Sequence, residues 1–224
     1  MSASLREKEL LSDTFGRSVD PRVRDHLLAG NIDLGGTLRE AAVMFCDIRS
    51  FTTFSEGKRE EEIVAILNEH FEAMDAAIGQ HEGMINKFLG DGFLALFGLP
   101  LETANPCNEA FLAAVDMVAA NEELNRRRQA RDDAPLEIGV GLHYGPLVAG
   151  NIGSYRRSEY TVIGDAVNVA SRIEGLTKRF GTRIVVTEPF VSQLPQEIVS
   201  RELTDLGRTE VRGRRETVQI YGAR

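Results

Sequence analysis

The chain has 224 residues, of which 42% are hydrophobic and 27% charged, a balance typical of globular proteins and unlike disordered or fibrous ones. This length suits one domain, or one domain with a short appendage, and is enough to bury a substantial core. Acidic residues outnumber basic ones by 34 to 26, so the net charge of −8 argues against a general nucleic-acid-binding surface.

Composition also indicates where the protein is found. Two cysteines, Cys46 and Cys107, are too few for a disulfide framework or a zinc site and favour a reducing compartment. The longest apolar stretch, Gly92 to Leu101, is interrupted by glycine and proline and is far shorter than the roughly 20 residues of a membrane span. The charged N-terminal sequence lacks the apolar core of a signal peptide. We therefore expect a cytoplasmic protein, or the cytoplasmic part of a larger, membrane-linked one.

The first 33 residues predict a charged helical segment ahead of a main domain over residues 34–224. Asp20 and Pro21 are typical of a helix N-cap and first helical residue, and Gly30 is typical of the residue that ends a helix. Two roles are open for this segment. It is either a helix that docks at the domain edge or a coupling element for an upstream sensor or membrane domain.

From Arg39 onwards, strand and helix patterns alternate. AAVMFCDI predicts a strand buried on both faces, because it is short, apolar and partly β-branched. One face of the following helix carries Ile63, Leu67, Phe71, Met74 and Ile78. MINKFLGDGFLALFG then predicts a hairpin that turns at Gly90 and Asp91. A second helix is predicted to begin at Asn105 and Pro106, with Val115 facing inward.

The second half of the chain continues the alternation. Residues 136–148 predict either a pair of strands or one bent strand, and residues 160–163 predict another. A third helix is predicted from Gly164 to Gly181, followed by strands over 183–186 and through Tyr221. Strand–helix–strand–strand–helix–strand is the ferredoxin-like order, so we expect an α+β sandwich of βαββαβ topology with extra strands.

Two aspartates follow buried apolar runs, Asp47 at a strand end and Asp91 in the hairpin turn. Because the first and third strands of a βαββ unit lie side by side, both carboxylates can meet at one edge of the sheet. Such a pair repels unless it is protonated or bridged by cations, and Mg²⁺ is usually held by one or two carboxylates plus substrate phosphates. Either aspartate alone is more commonly a turn or cap residue, so the inference depends on the pair.

Other polar residues are weaker signals. Lys87 lies in an apolar strand, where it is either functional or an edge-strand lysine that discourages aggregation. Asn168 and Arg172 share a helix face, an arrangement that surface helices also show without a function. Arg212 belongs to a small basic turn, for which solvation is the ordinary explanation.

Together these segments resemble the class III nucleotide cyclase catalytic domain, from about Leu34 to Tyr221. Five motifs carry the resemblance in the family's order and spacing: FCDIRSFT, NKFLGDGFLALFG, GVGLHYGPLVAGNIG, YTVIGDAVNVASR and VRGRRETVQIY. Five ordered motifs are far more specific than any single one. The resemblance implies an enzyme that converts a nucleoside triphosphate into a 3′,5′-cyclic monophosphate and pyrophosphate.

The resemblance also implies a role for each matched residue. Asp47, Ile48 and Asp91 would hold two Mg²⁺ or Mn²⁺ ions per site. Asn168 would orient the ribose, and Arg172 would stabilise the transition state. The implied substrate contacts are the backbone N–H groups of Ile48, Arg49, Ser50, Phe51 and Thr52 to the phosphates, Lys87 and Thr161 to the purine, and Arg212 to the terminal phosphates. The motifs contain no strong general base, so we expect the 3′-proton to pass to water or substrate.

The pair of residues facing the purine predicts ATP as substrate. Thr161 stands where adenylyl cyclases of the family usually have aspartate, and it can accept a hydrogen bond from adenine's amino group. Lys87 cannot accept one, so guanine's N1–H and 2-amino group would go unpaired, at a cost of roughly 1–3 kcal/mol. The Lys/Thr combination also resembles a subgroup that responds to bicarbonate, which makes bicarbonate stimulation a further hypothesis.

In the family, each active site lies between two chains, so the resemblance implies a symmetric homodimer. One chain would give the aspartates and the other Lys87, Thr161, Asn168 and Arg172. Three alternatives remain open: a guanylate cyclase, a diguanylate cyclase or polymerase-palm relative, and a non-catalytic nucleotide-binding regulatory dimer. The second leaves VNVASR unexplained, and degenerate members of the third kind lack an aspartate or the arginine, both of which this chain keeps.

Overall fold

The computed structural model describes residues 20–30, 33–211 and 217–223, which form a single sheet with helices on both faces. The strands are β1 (Gly35–Ile48), β2 (Met84–Leu89), β3 (Gly92–Phe97), β4 (Ile138–Ser154), β5 (Arg157–Ile163), β6 (Ile184–Thr187), β7 (Thr204–Thr209) and β8 (Val218–Ala223). The helices are α1 (Pro21–Leu28), α2 (Phe51–Ser55), α3 (Glu60–Gln80), α4 (Pro106–Gln129), α5 (Asp165–Glu174), α6 (Leu176–Phe180), α7 (Glu188–Val191) and α8 (Gln196–Glu202). None of these helices combines the length and apolar composition needed to cross a bilayer.

The strand order confirms the predicted ferredoxin-like fold. The sheet runs β2-β3-β1-β4-β6-β8-β7, and its first four strands, with α3 and α4 between them in sequence, form the βαββαβ unit. The strands β6, β8 and β7 extend the sheet beyond β4. Neighbouring strands are antiparallel except for the parallel pair β4 and β6.

β1 occupies the centre of the sheet, and its second half, the predicted run AAVMFCDI, is largely buried on both faces. Ala42, Met44 and Cys46 point into the core that α3 and α4 cover, whereas Ala41 and Val43 point into the opposite cluster. This alternation follows from the two-residue period of a strand. Cys46 is therefore a packing residue, and burial raises the pKa of its thiol.

β4 is one continuous strand of 17 residues. Of the two alternatives expected for this segment, the pair of strands is therefore wrong. It pairs with β1 along Ile138–Asn151 and with β6 along Val140–Leu142. Beyond the end of β6, the segment Val148–Ser154 pairs with β5 instead. The β4–β5 hairpin, which carries Thr161, is therefore joined to the sheet through β4.

The ends of the helices match their predicted caps in most places. The Asp20 side chain accepts from the Arg22 backbone N–H at 2.8 Å, and that of Asn105 accepts from Asn108 N–H at 2.9 Å. The predicted third helix is divided, because α5 ends at Glu174 and α6 begins two residues later. Val115 was expected to face inward, but it is 38% exposed.

The short helix α1 docks against the main domain. Val23 is buried, the Arg22 guanidinium donates to the Gly83 carbonyl oxygen, and the His26 ring meets the Tyr160 ring edge-on at 5.5 Å. Docking is thus observed for this helix, and a coupling role stays a prediction. The helical segment predicted before Asp20 lies outside the described residues, so the domain boundary after residue 33 also stays a prediction.

His70, in the middle of α3, is buried without a hydrogen-bond partner. Its exposed fraction is 0%, and neither ring nitrogen has a partner. Burial lowers its pKa from 6.5 to about 4, because desolvation disfavours the charged imidazolium. The unfolded chain therefore binds a proton more readily than the folded one. His70's contribution to stability is complete above pH 6.5 and is lost as the pH falls towards 4.

We expect His70→Gln to remove this pH dependence, because glutamine is polar but does not titrate in this range. Between pH 6.5 and 4, the wild-type free energy of unfolding should fall by up to about 3 kcal/mol more than that of the variant, at about 1.4 kcal/mol per pKa unit. Urea denaturation across this range measures the difference. His70→Leu is the apolar control and should give the same slope as His70→Gln, whereas parallel curves for all three proteins would contradict the prediction.

Candidate active site

The structure brings Asp47 and Asp91 together at the ends of two paired strands. In the β1–β3 ladder, Cys46 lies opposite Phe93, so Asp47 sits beside the turn that carries Asp91, close enough for the Asp91 carboxyl to raise the pKa of Asp47. Gly92 permits this approach. A Cβ at Gly92 would lie 2.5 Å from the Cys46 carbonyl oxygen and 3.1 Å from Asp47 Oδ1.

The environment of Asp47 disfavours its ionised form. Burial and, after it, the neighbouring Asp91 carboxyl together raise the pKa of Asp47 to about 6. One contact acts in the opposite direction, since the Ile48 backbone N–H donates to Asp47 Oδ1 at 2.9 Å. A positive charge beside these oxygens would remove the repulsion.

A third carboxyl group, that of Glu174, lies behind the aspartate pair. Asp47 is paired with Gly139 of β4, and a side chain at Gly139 would collide with the Glu174 carboxylate. Burial raises the pKa of Glu174 to about 7, and the charges of Asp47 and Asp91 raise it too, whereas Arg49 lowers it. Sequence reasoning missed Glu174, although the alternating glycines of GVGLHYG are a signal that a helix approaches this strand closely.

Two amides of the predicted phosphate-binding backbone already have an acceptor within the chain. The Ile48 N–H donates to Asp47 Oδ1, and the Arg49 N–H donates to the Glu137 carbonyl oxygen at 2.8 Å, so their contact with phosphate stays a prediction. Ser50 has a left-handed conformation with φ 55° and precedes α2. The N–H groups of Phe51 and Thr52 lie in its first turn, where a helix has no internal acceptor for them.

Arg49 is held among main-chain and acidic groups. Its guanidinium donates to the Thr182 carbonyl oxygen at 2.6 Å and lies 3.7 Å from the Glu137 carboxylate. Its Nε is buried without a partner. The Arg49 side chain is thus a fixed positive charge close to the acidic group.

The oxygen atoms at this place suit a hard divalent cation. In the described part of the chain, no group of three or more His, Cys, Asp or Glu side chains is arranged as a complete metal site. One or two carboxylates are nevertheless the usual protein share of a Mg²⁺ site, which substrate phosphates and water complete. Asp47, Asp91 and Ile48 therefore fit such an ion chemically.

A cleft of about 1020 Å³ lies between α1, α3, β2 and β5, and Lys87, from the second group of predicted residues, lines it. Lys87 of β2 reaches into it and forms an ion pair with Glu159 of β5, at 2.9 Å between Nζ and Oε1. The Thr161 hydroxyl lies 3.4 Å from Asn86 Oδ1, to which it donates. Sequence reasoning missed both Glu159 and Asn86, because partners on separate strands leave no local pattern.

Asn168 and Arg172 lie on α5, which packs across β4 and β1. Asn168 is exposed, and its Nδ2 donates to the Gly164 carbonyl oxygen at 3.4 Å. Over residues 20–30, 33–211 and 217–223, no hydrogen bond or ion pair connects the aspartate pair with Lys87, Thr161, Asn168 or Arg172. Arg212 lies outside the described residues, so its predicted role stays a prediction.

Known proteins share both the sequence and the fold. A family model for the adenylate and guanylate cyclase catalytic domain matches residues 36–222. The chain is 39% identical over 197 residues to an adenylate cyclase of Anabaena cylindrica, a match that covers 85% of this chain and 38% of that protein. The chain therefore spans about two-fifths of the length of this curated relative.

Two solved structures are similar over nearly their whole length. The guanylyl cyclase Cya2 is 32% identical with a TM-score of 0.76, and the match covers 85% of this chain and 94% of that one. The adenylyl cyclase CyaB from P. aeruginosa is 30% identical with a TM-score of 0.72, covering 85% and 96%. The carboxyl pair, the cleft and these matches have one explanation, which is that the chain belongs to the class III adenylyl and guanylyl cyclase catalytic domain family.

Proposed function

We propose that this domain is an adenylate cyclase that converts ATP into 3′,5′-cyclic AMP and pyrophosphate. The observation that carries the proposal is the placement of Asp47 and Asp91 side by side where β1 pairs with β3, because two neighbouring carboxylates repel unless cations lie between them. Lys87 in the neighbouring cleft supports adenine as the base, because an ammonium group only donates hydrogen bonds. The similarity to adenylate cyclases of Anabaena cylindrica and P. aeruginosa supports the same choice.

One observation favours a guanylate cyclase as the second candidate. The carboxylate of Glu159 lies beside Lys87, and it offers the acceptor for guanine's N1–H that lysine lacks. The similarity to the guanylyl cyclase Cya2 supports this candidate too. We favour ATP because the Glu159 carboxylate is already engaged by the Lys87 ammonium.

The proposed reaction is an in-line displacement at the α-phosphorus. The ribose 3′-oxygen forms a bond to this phosphorus while the bond to the pyrophosphate oxygen breaks, and the 3′-proton passes to water or substrate. Mg²⁺ or Mn²⁺ ions held by Asp47, Asp91 and Ile48 would lower the pKa of the 3′-hydroxyl and offset phosphate charge.

The other residues position the substrate and stabilise charge. The N–H groups of Ser50, Phe51 and Thr52 would face the phosphates, Asn168 would orient the ribose, and Arg172 would stabilise charge that develops at the α-phosphate. Fixed donors and charges of this kind accelerate a reaction because they need no reorganisation in the transition state.

We further propose that the active unit is a homodimer with two equivalent sites. Within the described part of one chain, no hydrogen bond or ion pair joins the aspartate pair to Lys87, Asn168 or Arg172. A two-fold axis would bring the aspartates of one copy to the cleft of the other and would build two identical sites at once.

Turnover of the purified protein with ATP and with GTP tests the proposed substrate. We expect cyclic AMP as the main product, with kcat/KM for ATP about tenfold or more above that for GTP, because guanine would leave donors unpaired. Activity should require Mg²⁺ or Mn²⁺ and disappear with a chelator. Cyclic GMP as the main product would contradict the choice of ATP, and metal-dependent binding without turnover would indicate a regulatory dimer.

Mixing two inactive variants tests the shared sites. Asp47→Ala and Arg172→Ala should each lower activity about a hundredfold or more. An equal mixture that exchanges subunits should recover about a quarter of wild-type activity, because half of the dimers then carry one intact site. If heterodimers form, as a tagged pull-down would show, and activity stays absent, the site does not combine residues from two chains.

Bicarbonate stimulation is a separate part of the proposal and depends only on the Lys87 and Thr161 combination. We expect bicarbonate to raise kcat at constant pH and ionic strength, with chloride at equal concentration as the control. Equal rates in the two salts would contradict it without affecting the proposed reaction.

A further inference from the structure

A β-bulge turns two consecutive residues of β2 towards β5. The β2–β3 register is regular at Ile85 and resumes at Lys87, so Asn86 is the extra residue of the bulge. Successive residues of a regular strand point to opposite faces, but a bulge re-aims its side chains and is common beside active sites. Here Lys87 contacts Glu159, and Asn86 contacts Tyr160 and Thr161.

The main chain of β5 determines the orientation of the Asn86 amide. Asn86 Nδ2 donates to the Tyr160 carbonyl oxygen at 2.8 Å. Because a carbonyl oxygen only accepts hydrogen bonds, the amide nitrogen must face Tyr160, and Oδ1 must face the other side. The Thr161 hydroxyl lies on that side, at 3.4 Å, and donates its proton to Oδ1.

This contact changes what Thr161 can offer to a ligand. A free threonine hydroxyl rotates and can either donate or accept, so it suits both adenine's amino group and guanine's O6. Once its single proton is used by Asn86, the hydroxyl presents only lone pairs. An acceptor pairs with the amino group of adenine but meets O6 of guanine as a second acceptor.

We propose that Asn86 is a positioning residue that makes Thr161 an obligate hydrogen-bond acceptor and so selects adenine over guanine. The inference rests on the proposed function, since it assigns a mechanism to the substrate preference. Asn86 acts through Thr161 and does not itself contact the base. Asn86 and Thr161 belong to the same chain, so the orientation of the Thr161 hydroxyl does not require a second copy.

The test compares nucleotide selectivity in four proteins: wild type, Asn86→Ala, Thr161→Val and the double variant. We expect Asn86→Ala to lower the ATP-to-GTP ratio of kcat/KM by about tenfold, through a gain for GTP, because the released hydroxyl can donate to O6. In the Thr161→Val background, where no hydroxyl remains, Asn86→Ala should leave the ratio unchanged. A merely structural role would lower turnover of both nucleotides alike in either background.

A control variant, a replacement variant and a binding measurement distinguish an effect on selectivity from a general loss of structure or activity. Asn108→Ala changes an asparagine of α4 that lies outside the cleft, and it should leave the ratio unchanged. If Asn86→Ala fails to fold by circular dichroism, Asn86→Leu, which is nearly isosteric, replaces it. Titration calorimetry with 3′-deoxy-ATP and 3′-deoxy-GTP measures the same selectivity without turnover.

Failure of the role assigned to Asn86 and failure of the proposed function give different results in these experiments. An inactive wild-type protein, or one that prefers GTP in turnover, contradicts the proposed function, and the binding ratios still decide the role of Asn86. A ratio that Asn86→Ala does not change, or that it changes equally with and without the Thr161 hydroxyl, overturns the inference. A lower ratio that depends on the hydroxyl supports it.

Discussion

The pairing of β1 with β3 places Asp47 beside the turn that carries Asp91, although two ionised carboxylates that lie close together repel. Burial and the Asp91 carboxyl together raise the pKa of Asp47 to about 6, and the half-buried carboxyl of Glu174 increases the density of acid further. The strand ladder and the core beneath it must therefore offset an unfavourable charge arrangement. A cation or a proton between the carboxylate oxygens would remove this repulsion. For this reason we infer that the site binds a divalent metal.

The residues proposed to recognise the base obey a different constraint. Lys87 and Asn86 are aimed by a bulge in an edge strand, and their partners Glu159 and Thr161 lie on a hairpin that extends from β4. This part of the molecule is held by polar contacts between two strands that do not pair with each other. The proposed selectivity therefore depends on the direction of single hydrogen bonds, whereas the proposed metal site depends on the backbone.

Local sequence signals predicted much of the fold correctly. The apolar run AAVMFCDI became the central strand β1, and the caps at Asp20 and Asn105 formed as expected, because each depends on neighbours within a few residues. Other features were not predicted. The third helix is divided near Gly175, and the Arg49 amide donates to the carbonyl oxygen of Glu137, which is distant in sequence.

By itself, the sequence determined the family, the order of the elements and the pairing of the two aspartates, since motifs, periodicity and strand adjacency are properties of the chain in one dimension. Only the tertiary structure decided that Glu174 lies behind that pair and that Lys87 forms an ion pair with Glu159. It also decided that the Thr161 hydroxyl donates to Asn86. Asn86 and Thr161 are 75 positions apart, and no local pattern encodes a contact at that separation. Such contacts arise from the register of β4 with β1 and β5, which the whole core determines together.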